Sequence, residues 1–206
     1  MLEFFYTPDT CALASHIALR DAGADFQLRR IDFAAEEQKS EAFLKVNPKA
    51  RVPALVTPRG VLTETPAILA FVAQSWPEAK LAPLDDPFAF AAMQSFNNYL
   101  CSTLHVAHAH SMRGSRWADE PEAIEAMRRK VPQSVAAAYD YVEEALVGPF
   151  VMGDAYSVAD PYLFTIASWM ESDSVDPARF PKTAAHRDMM RTRSTVADAL
   201  RIEAGG

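Results

Sequence analysis

The chain has 206 residues, half of them hydrophobic and 23% charged, with a formal net charge of −7. That composition predicts a soluble globular protein of one or two compact domains, and the negative charge argues against nucleic acid or an anionic membrane as the main partner. No apolar run approaches the roughly 20 residues of a membrane span. The start, Met1-Leu2-Glu3-Phe4, lacks a basic region and enters a strand directly, so no signal peptide is expected and a cytoplasmic location is. Cys11 and Cys101 lie far apart and make neither a disulfide framework nor a Cys-rich zinc site.

Leu2 to Tyr6 is β-prone, and Pro8-Asp9-Thr10 is a turn. A helix follows, with Leu13, Ile17 and Leu19 among its apolar positions and Gly23 as its stop. Phe26 to Phe33 is predicted as a second strand and Glu36 to Val46 as a short charged helix. The next stretch carries the most information. Val52-Pro53 opens a short apolar run to Val56, and proline is tolerated at a strand's first residue. Pro58 and Gly60 signal a tight turn to a second short strand, closed by Glu64 and Thr65. Pro66 fits the first position of a helix running to Trp76, with Thr65 as its N-cap. A helix N-terminus with free N–H groups is a ready site for a carboxylate. The predicted order is β-α-β-α-β-β-α, with a parallel first pair and an antiparallel hairpin after it.

Pro77 to Pro87 has three prolines and no helical period, and it is the linker candidate. Everything after it is predicted helical: Phe88 to His110, Pro121 to Leu146 with a kink or break at Pro132, about Ser157 to Ser172, Pro181 to Thr192, and Thr195 to Ile202. Ser157-x-x-Asp160 is close to a capping box, with the Asp160 carboxylate reaching back to the helix start.

In this order the motifs resemble the glutathione transferase family: Val52-Pro53, Glu64-Thr65, Gly153-Asp154-x-x-Ser157-x-x-Asp160, and Tyr6-Thr7-Pro8-x-x-Cys11-x-Leu13-x-Ser15-His16. With Asn98-Tyr99 and Leu104-His105, the nearest pattern is the bacterial beta class. The resemblance implies a thioredoxin-like α/β domain at residues 1–78, a linker at 79–86 and an all-helical domain at 87–206. It also implies a cytoplasmic, homodimeric detoxification enzyme that joins glutathione to small hydrophobic electrophiles and needs no metal. In the family the Val-Pro bond is cis, the valine backbone pairs with the cysteinyl unit, and the Glu-Thr pair holds the γ-glutamyl end. Val52, Pro53, Glu64 and Thr65 take those places here. Asn98 matches a position that contacts glutathione, and the contact can come from the neighbouring subunit.

Three side chains compete for the place beside the sulfur. Cys11 comes first, because the matching beta-class cysteine lies next to the glutathione sulfur and can form a mixed disulfide with it. A helix N-terminus should also help its thiol ionise. Tyr6 comes second, as the tyrosine other classes use, although it equally fits a core aromatic. Thr10 comes third, as a neighbouring hydroxyl donor. His105 is expected to project toward the sulfur and donate a hydrogen bond or move a proton. His105 and His108 share a helical face, but His110 does not, and no carboxylate is in register, so no metal is expected. His108 and His110 read as a polar helix face or pocket wall. Phe5, Met112, Trp117 and Trp169 are candidate walls for the electrophile, or plain core. One departure stands out: Glu36 occupies the place of a beta-class lysine for the glycyl carboxylate, which leaves Lys39 or Arg51 to substitute. Glutathione-dependent disulfide or peroxide reduction at Cys11, and a non-catalytic binding role, are the alternative functions.

Overall fold

The computed structural model describes residues 1–205. The first half holds strands β1 (Leu2–Tyr6), β2 (Phe26–Arg30), β3 (Ala54–Thr57) and β4 (Gly60–Thr63), with helices α1 (Ala12–Asp21), α2 (Glu41–Val46) and α3 (Thr65–Ser75). The sheet order is β2-β1-β3-β4. β1 runs parallel to β2, with Phe4 opposite Leu28, and antiparallel to β3, with Phe4 opposite Leu55. β3 and β4 form the expected hairpin. Alternation along β1 gives the sheet two unlike faces. Leu2, Phe4 and Tyr6 are buried, while Phe5 turns the other way onto Phe43 of α2, with ring centroids 5.7 Å apart.

Several boundaries differ from the sequence reading, each for a local reason. β2 ends at Arg30: Ile31 N–H still bonds Tyr6 O at 2.8 Å, but its carbonyl accepts from the Thr7 hydroxyl, at 2.8 Å, and not from a strand amide. The expected helix from Glu36 to Val46 is two pieces, a 3-10 turn and α2, because Ser40 is extended and caps α2 by accepting from Phe43 N at 3.2 Å. Glu64 does not close a strand. Its φ of +70° turns the chain, and Thr65 is already the first residue of α3.

From Pro87 onward the chain is helical: α4 (Pro87–Tyr99), α5 (His105–Ala109), α6 (Pro121–Ala145), α7 (Ala159–Ala167), α8 (Pro181–Arg191) and α9 (Ser194–Glu203). Gly206, the end of the expected helical domain, lies outside the described residues. The expected single helix from Phe88 to His110 is interrupted by one π-helical turn, Leu100–Leu104, which re-aims the residues that follow. α6 runs through Pro132 without a break, held by Val131, Val135, Tyr139 and Val142, which are buried on both sides of it. α7 stops at Ala167, and turns replace the expected extension to Ser172.

α1 is buried from Ala12 to Leu19 and touches α3, α7 and α9, so it joins the two halves. Its buried His16 accepts from Arg20 Nε at 3.1 Å and therefore presents its Nδ1 proton to Glu203, 3.0 Å away on α9. At the start of α7 the fully buried Asp160 carboxylate accepts from Val151 N at 2.8 Å, Ser157 N at 2.7 Å and His186 Nε2 at 3.0 Å. The carboxylate reaches back as expected, while Ser157 Oγ accepts from Ala159 N at 3.3 Å.

Removing Asp160 strands several buried donors, each costing about 1–3 kcal/mol. Asp160→Ala is therefore expected to lower unfolding free energy in urea by at least about 3 kcal/mol, whereas Ser157→Ala should cost only about 0.5–2 kcal/mol.

Candidate functional site

Segments from both halves meet around a cleft of about 620 Å³ between the sheet half and the helical half. The turn before α1 brings Thr10 and Cys11, and the loop before β3 brings Arg51, Val52 and Pro53. The start of α3 brings Glu64 and Thr65, α5 brings His105, and the segment after α5 brings Met112 and Trp117. Trp169, just past α7, completes one wall.

The loop before β3 is tightly specified. Asn47 is buried; its Nδ2 donates to Arg51 O at 2.6 Å and its Oδ1 accepts from Lys49 N at 3.1 Å. Ala50 takes a φ of +53°, and the Val52-Pro53 bond is cis. Val52 lies just outside the β3 ladder, so its N–H is left without a backbone partner among the described residues. Thr65 N–H is one of the first amides of α3, which no intrahelical carbonyl can satisfy. Glu64 faces Lys49, whose Nζ also donates to Thr63 Oγ1 at 2.6 Å. An unfavourable backbone angle at Glu64, beside an open helix terminus, is the kind of strain found at ligand sites.

Cys11 is half-buried, and its Sγ points at Val52 O, 3.8 Å away. Burial pushes its thiol up to about 11, against the pull of the Thr65 hydroxyl, with Cys101 and Glu64 adding to the rise. The expectation of an easily ionised thiol is thus corrected: Cys11 does sit at the N-terminus of α1, but desolvation outweighs the helix end. Burial also raises the Cys101 thiol, and Tyr162 opposes the rise. Tyr162 is buried with a hydroxyl that makes no hydrogen bond among the described residues. It lines the same cleft as both cysteines. His105 is held neutral: burial first, then His108, Arg116 and Arg51, lower it to about 4.

The other expected residues divide. Thr10 lines the cleft, but its hydroxyl proton goes to Thr7 O at 2.7 Å and its oxygen accepts from Ala12 N at 3.3 Å, so it has no proton left for a sulfur. Tyr6 is not on the cleft; it is a buried core aromatic stacked on Phe4, with centroids 6.5 Å apart. Phe5 is not a wall, because strand alternation sends it to Phe43. Asn98 is exposed on α4, away from this chain's cleft. Glu36 stands outside the cleft and pairs with Lys39, while Lys39 and Arg51 both line it.

Sequence reasoning missed Asn47, Lys49, Cys101, Arg113, Arg116 and Tyr162. Cys101 and Tyr162 look like ordinary apolar helix positions, and the π-turn at Leu100–Leu104 leaves no sequence signal. His108 is a wall, as one of its readings had it: it bonds Asp173 Oδ1 at 2.8 Å and stacks on Trp169 with centroids 4.3 Å apart. His110 packs against Trp117 instead, with centroids also 4.3 Å apart. Among the described residues no group of three or more His, Cys, Asp or Glu is placed to hold a metal ion. No helix there is long and apolar enough to cross a membrane.

Residues 3–74 match the model of the glutathione S-transferase N-terminal domain, and residues 100–194 match that of the C-terminal domain. Glutathione S-transferase GstA of Escherichia coli O157:H7 is 32% identical over 206 residues, covering 98% of both chains. A glutathione transferase homologue from Sulfitobacter, solved with glutathione bound, superposes with a TM-score of 0.94 at 45% identity over 98% of each chain. A beta-class glutathione S-transferase from Sphingomonas chungbukensis gives a TM-score of 0.84 at 32% identity, again over 98% of each chain. With both family domains matched in order and a full-length relative at this identity, the chain belongs to the glutathione S-transferase family.

Proposed function

We propose that this protein binds glutathione in the cleft and transfers it to an electrophile, with Cys11 and His105 beside the sulfur. The observation that carries this reading is the meeting of Cys11, Val52, Glu64, Thr65 and His105 around one cleft, although nearly half the chain separates the first from the last. The unpaired Val52 amide suits a peptide backbone, and the open N-terminus of α3 suits the γ-glutamyl carboxylate. Glu64 supplies the acceptor for the ammonium, in competition with Lys49. Arg51 is the cation for the glycyl carboxylate, since Lys39 is shared with Glu36.

The raised thiol of Cys11 decides its part in the chemistry. At neutral pH it keeps its proton, so it is a hydrogen-bond donor and not a nucleophile. Donation from Cys11 S–H, which gives up its long 3.8 Å contact to Val52 O for the sulfur, stabilises the thiolate of glutathione, which is the attacking species. The thiolate lone pair forms the carbon–sulfur bond, and a leaving group departs with the electron pair of the bond that breaks. Neutral His105 can steady the thiolate through its N–H, while the thiol proton passes to solvent. This arrangement favours conjugation over disulfide reduction at Cys11, which needs the cysteine thiolate.

Reduced glutathione is expected to raise the melting temperature saturably, adding about 2.7 kcal/mol at 100 times its dissociation constant. Thr65→Ala should weaken that binding about tenfold by calorimetry, the cost of one charge-assisted hydrogen bond; an unchanged affinity would remove Thr65 from the site. With its thiol near 11, Cys11 in the free protein should react with iodoacetamide slowly at pH 7 and steadily faster up to pH 10, read by peptide mass spectrometry. His105 binds its proton less readily folded (about 4) than unfolded (about 6.5), so stability falls as pH drops through that window. His105→Gln is expected to flatten this part of the melting-temperature profile between pH 6.5 and pH 4.

A further inference from the structure

The cleft is cationic beyond what glutathione needs. Lys39, Lys49, Arg51, Arg113 and Arg116 line it against only two carboxylates, Asp9 and Glu64. Glutathione as its thiolate carries roughly two net negative charges at neutral pH, so an excess positive charge remains once it is bound. None of the ion pairs among the described residues engages Arg51, Arg113 or Arg116. Arg51 is taken by the glycyl end, which leaves Arg113 and Arg116.

These two guanidiniums stand on a built wall. The turn that carries them is pinned to α6 at the buried Gly114, where an added Cβ would lie 2.9 Å from Ile124 Cγ2. Arg128 Nε on α6 donates to Ser111 O at 3.0 Å, bracing the approach to the turn. Arg113 reaches across to the sheet half, 5.8 Å above the Phe33 ring. Arg116 lies close enough to Arg51 and Arg113 that their charges oppose its own. Flat apolar surfaces flank this charge: Trp117, and Trp169 held by the His108 stack. Like charges held near one another without a counterion cost stability, and a bound anion relieves that cost.

We propose that the electrophile is an anion: an aromatic or conjugated acceptor bearing a carboxylate, its flat body against Trp169 and Trp117 and its charge on Arg116 and Arg113. This rests on the transferase reading above and narrows the small hydrophobic electrophile expected from the resemblance to one that carries a charge. Guanidinium is the group suited to such a carboxylate, because its fork makes paired hydrogen bonds.

The test uses a matched pair, 4-chloro-3,5-dinitrobenzoate and the corresponding benzamide, with kcat/KM for each divided by its uncatalysed rate with glutathione. The carboxylate is expected to be preferred at least about fivefold, and the preference should shrink in high salt. Arg116→Gln should remove most of the preference by lowering the carboxylate's kcat/KM while the amide's stays within about twofold, and Arg116→Lys should keep part of it. Equal normalised rates for the two compounds in the wild-type protein, or equal losses in Arg116→Gln, would overturn the proposal. A second readout needs no glutathione: quenching of tryptophan fluorescence by 4-nitrobenzoate against 4-nitrobenzamide. Tighter, Arg116-dependent binding of the benzoate without any turnover would sink the transferase reading and leave the anion site standing. Turnover of both compounds without charge preference would do the reverse.

Discussion

The burial of α1 from Ala12 to Leu19 is the constraint on which the rest depends. A helix hidden on all sides needs the sheet on one flank and helices on the other, so neither half of the molecule covers it alone. Its one buried titratable residue is paired before it can do harm: His16 accepts from Arg20 and donates to Glu203, tying the first helix to the last. The Leu13, Ile17, Phe164, Met190 and Val196 cluster seals the same junction with apolar contact. Because the cleft opens at the N-terminal end of this helix, its geometry is inherited from that packing.

The same burial sets the chemistry. A thiol at a helix N-terminus, read alone, is expected to ionise; enclosed between the loop before β3, α3 and Tyr162, it does the opposite. His105 responds to the same environment in the complementary sense and stays neutral. A protonated thiol and a neutral imidazole lining one cleft add no buried charge of their own to it. The charged work is left to the rim, where Glu64, Lys49 and the arginines keep contact with water.

The two walls of the cleft are held differently. On the sheet side, Asn47 fixes the backbone through its own side-chain amide, so Val52 is presented by a loop with little freedom. On the helical side, the wall depends on packing at a distance: Asp173 orients His108, His108 stacks on Trp169, and Ile124 leaves room at Gly114 for no side chain. Arg113 and Arg116, without an ion pair among the described residues, stand on this second wall.

Local chemistry made much of this legible in the sequence. A β-prone run predicted β1, Pro58-Gly60 predicted the hairpin, Ser157-x-x-Asp160 predicted the start of α7, and the element order predicted an α/β half followed by helices. These signals lie within a few residues of one another, and the backbone responds to them directly. What could not be read is whatever depends on residues far apart in the chain. Tyr6 and Cys11 both looked like partners for a sulfur, and strand alternation sent one into the core while the turn left the other on the cleft. The π-turn that carries Cys101 and precedes His105, the direction in which the Cys11 thiol is shifted, and the lack of an ion pair at Arg113 and Arg116 among the described residues all follow from what lies nearby in space. Sequence by itself determined the elements and the family, because periodicity and short motifs are local. Tertiary structure decided which side chains share the cleft and in what protonation state, because burial and charge act through space and not along the chain.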